Sequence, residues 1–238
     1  MAEVTGVDPI TISVVQHRLH AIAEEMGEAM LRTSYSQILN SSRDFSTGLC
    51  DLRGRLIAQA EHVPIHIGAL PWAAKAVHDA FRATIRPGDV YLLNDPYHGG
   101  NHLPDVTAFV PVFDGDRFCF WSINRAHQSD IGGATHGAYN PGATEIFQEG
   151  IRIPPLKLYD QGRLRADVMA MIVLNVRHPF EFQGDLAAMI ASMISWPQWL
   201  VHSVTGAPGF AQTTVPSFAI TLTGRNAPSF LGVSGSIR

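Results

Sequence analysis

The sequence predicts an α+β fold: a mixed sheet built from hairpins, helices packed against it, and a metal site at the open end of one hairpin. Three observations predict it. Val15, Leu19, Ile22, Met26 and Met30 recur at three- and four-residue intervals, the period of a helix with one apolar stripe. Val106–Phe113 and Arg117–Asn124 are dense in Val, Phe, Ile and Trp, and Asp114-Gly115-Asp116 between them is a tight-turn signal. The segments on either side of that hairpin each contain His-x-x-Asp, as His102 with Asp105 and His127 with Asp130.

Asp8-Pro9 opens the first helix, an N-cap acceptor followed by proline at the first helical position. The stripe carries that helix over 9–35, with Glu24, Glu25 and Glu28 mostly off it. A polar link, Asn40-Ser-Ser-Arg-Asp44, leads into a second hairpin, Phe45–Cys50 and Arg55–Gln59 about Asp51-Leu-Arg-Gly54. Residues 67–82 are expected as a helix, Arg86-Pro-Gly-Asp89 as a turn and Val90–Leu93 as a strand. Beyond the central hairpin, 132–140 is a glycine-rich loop and Glu145–Glu149 a helical turn. Ile151–Leu158 is extended, because its two prolines forbid a helix. Residues 166–175 and 184–194 are the last expected helices.

From Trp196 to Arg238 there is no acidic residue, and Arg225 and Arg238 are the only basic ones; residues 1–194 hold all 21 acids. The chain therefore divides into a domain at 1–194 and a low-charge tail at 196–238. The tail reads as a β-rich cap, a disordered segment or the product of a shifted reading frame.

Composition narrows the function. A chain of 238 residues that is 46% hydrophobic and 16% charged can bury a substantial core. Its net charge is −4 and its Lys and Arg are scattered, so no basic stripe exists to follow a phosphate backbone and no nucleic-acid partner is expected. No uninterrupted apolar run approaches a membrane span, and Met1–Asp8 lacks the apolar core of a signal peptide, so a cytoplasmic protein without membrane contact is expected. Cys50 and Cys119 read as buried free thiols, with a disulfide or reactive thiol as the alternative. There is no Walker-type loop and no Gly-x-Gly-x-x-Gly after a strand, hence no visible nucleotide site.

Counted from Gly115, Asp105 lies ten residues back and His127 twelve on, so the hairpin brings both His/Asp sets face to face at its open end. Imidazole and carboxylate groups converging with open positions to spare suit Zn²⁺, Mn²⁺ or Fe²⁺ in a catalytic role, since a structural site more often uses cysteine. Gly99-Gly100 and Gly132-Gly133 flank the cluster, as where backbone must approach a ligand closely. Asp44 and Asp95 read locally as turn or cap residues. Glu145 and Glu149 read as a general base or as a solvated helix face, and His98 and His136 as substrate contacts or as residues that orient a ligand. His20, His62, His66, His78, His178 and His202 take the structural reading.

Longer motifs run through the chain in order: Arg43-Asp-Phe-Ser, Gly54-Arg-Leu-Ile-Ala-Gln59, Asn94-Asp-Pro-Tyr-His-Gly-Gly-Asn-His-Leu-Pro-Asp105, His127-Gln-Ser-Asp-Ile-Gly-Gly133 and Ala143-Thr-Glu-Ile-Phe-Gln-Glu-Gly-Ile-Arg-Ile-Pro-Pro155. By these, residues 8–194 resemble the hydantoinase B/oxoprolinase family, which includes B subunits of N-methylhydantoinases, the C-terminal half of 5-oxoprolinases and acetone carboxylase α subunits. The resemblance implies one divalent transition metal held by Asp44, His102, Asp105 and His127. It moves Asp130 from the ligand set to a residue that orients a ligand or touches substrate. Asp130 and Glu145 stand as the candidate catalytic carboxylates, and His98 and His136 as the candidate substrate contacts. It implies ring opening of a cyclic amide (a hydantoin, 5-oxoproline or a lactam) within a hetero-oligomer. There, an A-type subunit binds ATP and phosphorylates the amide oxygen. Ketone carboxylation of the acetone carboxylase kind and a non-catalytic remnant are the alternatives. Family members are typically more than twice this length and the resemblance fades at Trp196, so a truncated or frame-shifted chain is expected, with 196–238 non-native.

Overall fold

A computed structural model describes residues 8–205, Glu61 and Ala138 excepted. The elements in order are α1 (Pro9–Thr33), α2 (Gln37–Asn40), β1 (Phe45–Cys50), β2 (Leu56–Ala60), α3 (Pro64–Phe81), β3 (Val90–Leu93), β4 (Asp105–Asp114), β5 (Arg117–His127), β6 (Leu156–Asp160), β7 (Arg163–Leu164), α4 (Ala166–Leu174) and α5 (Pro179–Thr205). The strands form one sheet in the order β2-β1-β5-β4-β3-β6-β7. Every pairing is antiparallel, so the sheet is not mixed in strand direction.

Helices cover both faces of this sheet. Ile22, Met26 and Met30 of α1 and Leu186, Met189 and Met193 of α5 pack on one face against Phe45, Leu49, Val106, Ala108 and Ala126. Leu70, Ala73, Ala74 and Val77 of α3 pack on the other against Cys50, Tyr91, Phe109, Trp121 and Ile123. A strand buried on both faces shows no polar alternation, which is why β4 reads as an almost continuous apolar run and is buried from Asp105 through Phe113. Each face burial removes apolar side chains worth about 1.5–3 kcal/mol apiece from water.

The element boundaries differ from expectation in four informative places. The first helix stops at Thr33, because Ser34 takes up extended backbone and the Asp185 carboxylate accepts the N–H groups of Tyr35 (2.7 Å) and Ser36 (3.1 Å). α3 begins three residues early, at a proline suited to the first helical position. A short strand, β7, and a 3₁₀ turn at Pro96–His98, capped by the Asp95 side chain, were not foreseen. α5 runs without a break through the compositional boundary at 194–196 to Thr205, so the loss of charge does not coincide with the end of an element. Residues 206–238, most of the expected tail, lie outside the described residues, as does the side chain of His202. Among the described residues, no helix is long and apolar enough to cross a membrane.

Candidate metal centre

Strand parity builds the site. β4 and β5 pair with Asp105 opposite His127 and Thr107 opposite Arg125. Side chains alternate faces along a strand, so Asp105, Thr107, Arg125 and His127 share the α3 face with Phe109, Ile123 and Trp121. β1 lies on the far side of β5, with Phe45 opposite Ala126, and the His127 N–H donates to the Asp44 carbonyl at 3.0 Å. Asp44 is thereby set beside His127, one step beyond the β1 ladder. The turn into it puts Arg43 at φ 55°, a left-handed conformation that costs a non-glycine residue about 1–2 kcal/mol.

His102 arrives from the loop between β3 and β4. That loop is pressed onto α3: Gly99 has φ +90°, and a Cβ there would lie 2.4 Å from the Ala73 backbone nitrogen. A Cβ on Gly100 would lie 2.1 Å from the Asn94 carbonyl oxygen. Only glycine permits so close an approach.

The polar atoms converge on Asp105, a carboxylate 1% exposed. His127 Nδ1 is 3.2 Å from its Oδ1, and His102 Nδ1 (3.0 Å) and His66 Nε2 (3.2 Å) face its Oδ2. The His102 contact is one of charge rather than an aligned hydrogen bond, and that Nδ1 has no hydrogen-bond partner. The His102 and His127 rings stand 5.0 Å apart, tilted by 53°. Asp44 completes the ring of groups, 3.6 Å from His66 Nε2 and 3.9 Å from His127 Nδ1. One donor atom each from His102, Asp105 and His127 lies within 4.8 Å of the others. Burial pushes the Asp105 carboxyl up, but contacts with His102, His127 and His66 outweigh it and hold the group well below the usual carboxylate range. The Asp105 carboxylate in turn raises His102, against the opposing effect of burial.

This donor set fits a divalent cation. Several imidazoles sharing one buried carboxylate are balanced either by protons, which burial disfavours, or by a positive ion among the lone pairs. Two neutral imidazoles with one or two carboxylates, and no thiol near, match Zn²⁺, Mn²⁺ or Fe²⁺. Cys50 and Cys119 are both free thiols, and burial pushes the Cys50 thiol up to about 12.

The other expected site residues lie elsewhere. Asp130, a candidate catalytic carboxylate, is buried and contributes no atom to the cluster. Its two oxygens accept from the Arg177 backbone N–H (2.5 Å) and guanidinium (2.8 Å), which tie β5 to the link before α5. Glu145 is exposed at the head of a 3₁₀ turn, Ile146–Gln148, so of its two readings the solvated one describes its surroundings. His98 Nδ1 meets Asp95 at 2.8 Å, and Asp95 also accepts from Arg152 at 3.1 Å. His136 Nε2 meets His178 Nε2 at 2.8 Å on the surface.

Two residues of the cluster were missed. His66, given the structural reading, sits in the first turn of α3 and touches both Asp44 and Asp105. Its signal was helical spacing, since His66 heads the buried stripe Leu70, Ala73, Ala74 and Val77. Arg125 was quoted in a motif without a role. It is fully buried on the site's face of β5, and burial pushes its guanidinium down to about 10, opposed by the charge of Asp105.

Against known proteins, the model of the hydantoinase B/oxoprolinase family matches residues 8–199. The chain belongs to the hydantoinase B/oxoprolinase family. It is 41% identical over 182 residues to the caprolactamase subunit beta of Pseudomonas jessenii, covering 76% of this chain and 31% of that one. The solved structure of ATP-dependent caprolactamase from Pseudomonas jessenii superposes with a TM-score of 0.79 at 37% identity, over 86% of this chain and 35% of that chain. A nucleotide-free acetone carboxylase structure shares the fold, with a TM-score of 0.77 at 22% identity over 85% and 27% of the two chains. The chain thus spans about a third of the length of these caprolactamase relatives. Of the motifs that carried the resemblance, Arg43–Ser46, Asn94–Asp105 and His127–Gly133 supply Asp44, His102, Asp105 and His127.

Proposed function

We propose that this chain is the metal-binding portion of a B-type subunit that acts in ATP-dependent ring opening of a cyclic amide such as a lactam, a hydantoin or 5-oxoproline. The observation that carries the reading is the convergence of His102, Asp105 and His127, with Asp44 beside them, on a buried point at the open end of β4 and β5. Those four side chains would hold one divalent transition metal. When bound, such an ion supplies Lewis-acid polarisation of an amide oxygen and brings the pKa of a bound water to near neutrality. His66 presents Nε2 to Asp44 and Asp105 and so fixes the orientation of both carboxylates. Asp130 holds Arg177 and keeps the segment after His127 in place, a positioning role rather than a chemical one.

The nucleotide chemistry belongs to a separate A-type partner. An unactivated lactam is a poor electrophile, and a phosphoryl group on its oxygen creates a leaving group. The sequence holds no phosphate-binding loop for that step. Cyclic amides are favoured over ketone carboxylation because the similarity at 41% identity is to a caprolactamase, whereas the acetone carboxylase likeness, at 22%, is one of fold alone.

The test has two stages. Metal analysis of purified protein should find one transition metal per chain, with occupancy lost in His102→Ala and His127→Ala. ATP turnover with an A-type subunit should then respond to caprolactam, hydantoin or 5-oxoproline and not to acetone with bicarbonate. A wild-type protein that takes up no Zn²⁺, Mn²⁺ or Fe²⁺ sinks the metal assignment, and turnover only with acetone and bicarbonate sinks the substrate class.

A further inference from the structure

Among the fully buried side chains of the described residues only Trp121 is larger than Arg125, and Arg125 is charged. It occupies a β5 position between Ile123 and His127 on the α3 face, where an aliphatic residue would pack without desolvation cost. Its guanidinium makes no hydrogen bond to a carboxylate. Nε donates to Thr107 Oγ1 at 2.7 Å, one terminal nitrogen to the His66 carbonyl (3.1 Å) and Asn101 Oδ1 (3.0 Å), and the other to the Gly99 carbonyl (2.8 Å). A buried charge is retained where its hydrogen bonds hold something that an apolar side chain could not.

What it holds is the set of segments that deliver the donor atoms. The His66 carbonyl belongs to the first turn of α3. Gly99 and Asn101 belong to the loop that ends in His102. Thr107 stands two residues from Asp105 on β4, and Arg125 itself two residues from His127 on β5. Asn101 extends the reach: its Nδ2 donates onward to Asp105 Oδ2 at 3.3 Å and to the Ile65 carbonyl at 3.1 Å.

We infer that Arg125 is the positioning residue of this centre, one planar guanidinium that fixes α3, the His102 loop and β4 at the spacing a metal ion requires. The inference rests on the metal-binding reading above and adds the residue that sets its affinity. Lysine carries the same charge but lacks the fork, so it cannot reach all four acceptors.

The experiment titrates Co²⁺ into wild type, Arg125→Lys, Arg125→Met and Asn101→Ala, reading Kd and the visible absorption bands, with circular dichroism and thermal melting as the check on folding. Arg125→Lys should fold, bind Co²⁺ about 10–100-fold more weakly and show shifted bands, as residues that orient ligands characteristically do. Asn101→Ala, which removes one arm from a partly exposed position, should shift both readouts the same way by less. Should Arg125→Met fail to fold, Arg125→Lys and Asn101→Ala decide. Folded variants with wild-type Kd and wild-type bands would make Arg125 a structural plug and overturn the inference while leaving the metal site standing. A wild type that binds no Co²⁺ overturns the metal reading and this inference together.

Discussion

Asp105→Asn is the sharpest single perturbation of the site, because it removes a charge while keeping the shape. In the metal-free protein, Asn retains one carbonyl acceptor but loses the negative charge that faces His66, His102 and His127 and acts on the buried Arg125. Stripping one partner from a buried charge cluster costs about 3–5 kcal/mol. The retained acceptor reduces that to about 2–3 kcal/mol, the worth of one charge-assisted hydrogen bond. The folded value of Asp105 lies below the unfolded one, so its contribution is fully present above about pH 4 and is lost as the pH falls further. The gap between wild type and variant is therefore complete at pH 7 and closes in acid. Metal adds a second, independent readout. At a free Zn²⁺ concentration of about 100 Kd, wild type gains about 2.7 kcal/mol, or roughly 5–11 °C in Tm for a chain of this size. A variant that binds a hundredfold more weakly gains about 0.4 kcal/mol at the same concentration, close to one degree. Thermal melts with and without Zn²⁺ at pH 7, and without Zn²⁺ in acid well below pH 4, measure both effects. An equal Zn²⁺-induced shift in wild type and variant would refute the reasoning, since the ion would then sit somewhere other than on Asp105.

Asp185 tests the join between α1 and α5. Burial raises its carboxyl above the ordinary value against the pull of its bonds to Ser36 and Tyr35, so its contribution is most favourable below about pH 4 and declines as the pH rises through the raised folded value. Asp185→Asn should abolish that slope in urea denaturation and equal or exceed wild type at pH 7, whereas Asp185→Ala orphans the buried Ser36 N–H at about 1–3 kcal/mol and the part-buried Tyr35 N–H at less; a less stable Asn variant at pH 7 contradicts the sign. Gly99→Ala adds about 1–2 kcal/mol of left-handed strain and a backbone clash that must displace the His102 loop, so both Tm and metal affinity should drop. Gly115→Ala, at φ +56° with nothing within 4 Å, is the control that carries strain alone, and equal losses in the two variants would dismiss the clash.

How far the sequence disclosed this site depends on how each residue is connected to it. His127 and Asp105 were legible because a hairpin is a local object: once Asp114-Gly115-Asp116 is taken as the turn, counting along two strands places them opposite each other, as the register does. Asp44 was not legible from its neighbours, where it reads as a turn residue, because its place depends on β1 pairing with β5 across more than seventy residues. Only the resemblance to a family brought it in. Composition changes at 194–196, but the helix there is held by Met189 and Met193 packing on the sheet and continues past the change.

His66 and Arg125 show what a finer reading could have recovered. Both sit one residue outside the expected bounds of recognised elements, 67–82 and 117–124, and both occupy the buried phase when those elements are continued. His66 falls four residues before Leu70 and seven before Ala73, on the stripe that faces the sheet. Arg125 falls two residues from Ile123 and two from His127, on the face of β5 that carries Trp121. A polar side chain in the buried phase of an element cannot be left unpartnered, since the cost of an orphaned buried group is comparable to a large share of a domain's stability. Such a residue therefore requires others of its kind across the layer. Two of them, on a helix and a strand that face each other, point to one polar pocket between the layers, and the hairpin had already placed Asp105 and His127 at its rim. Phase alone groups His66 and Arg125 with those two. Asp44 stays beyond such reasoning, because it lies in a link with no period to give it a phase.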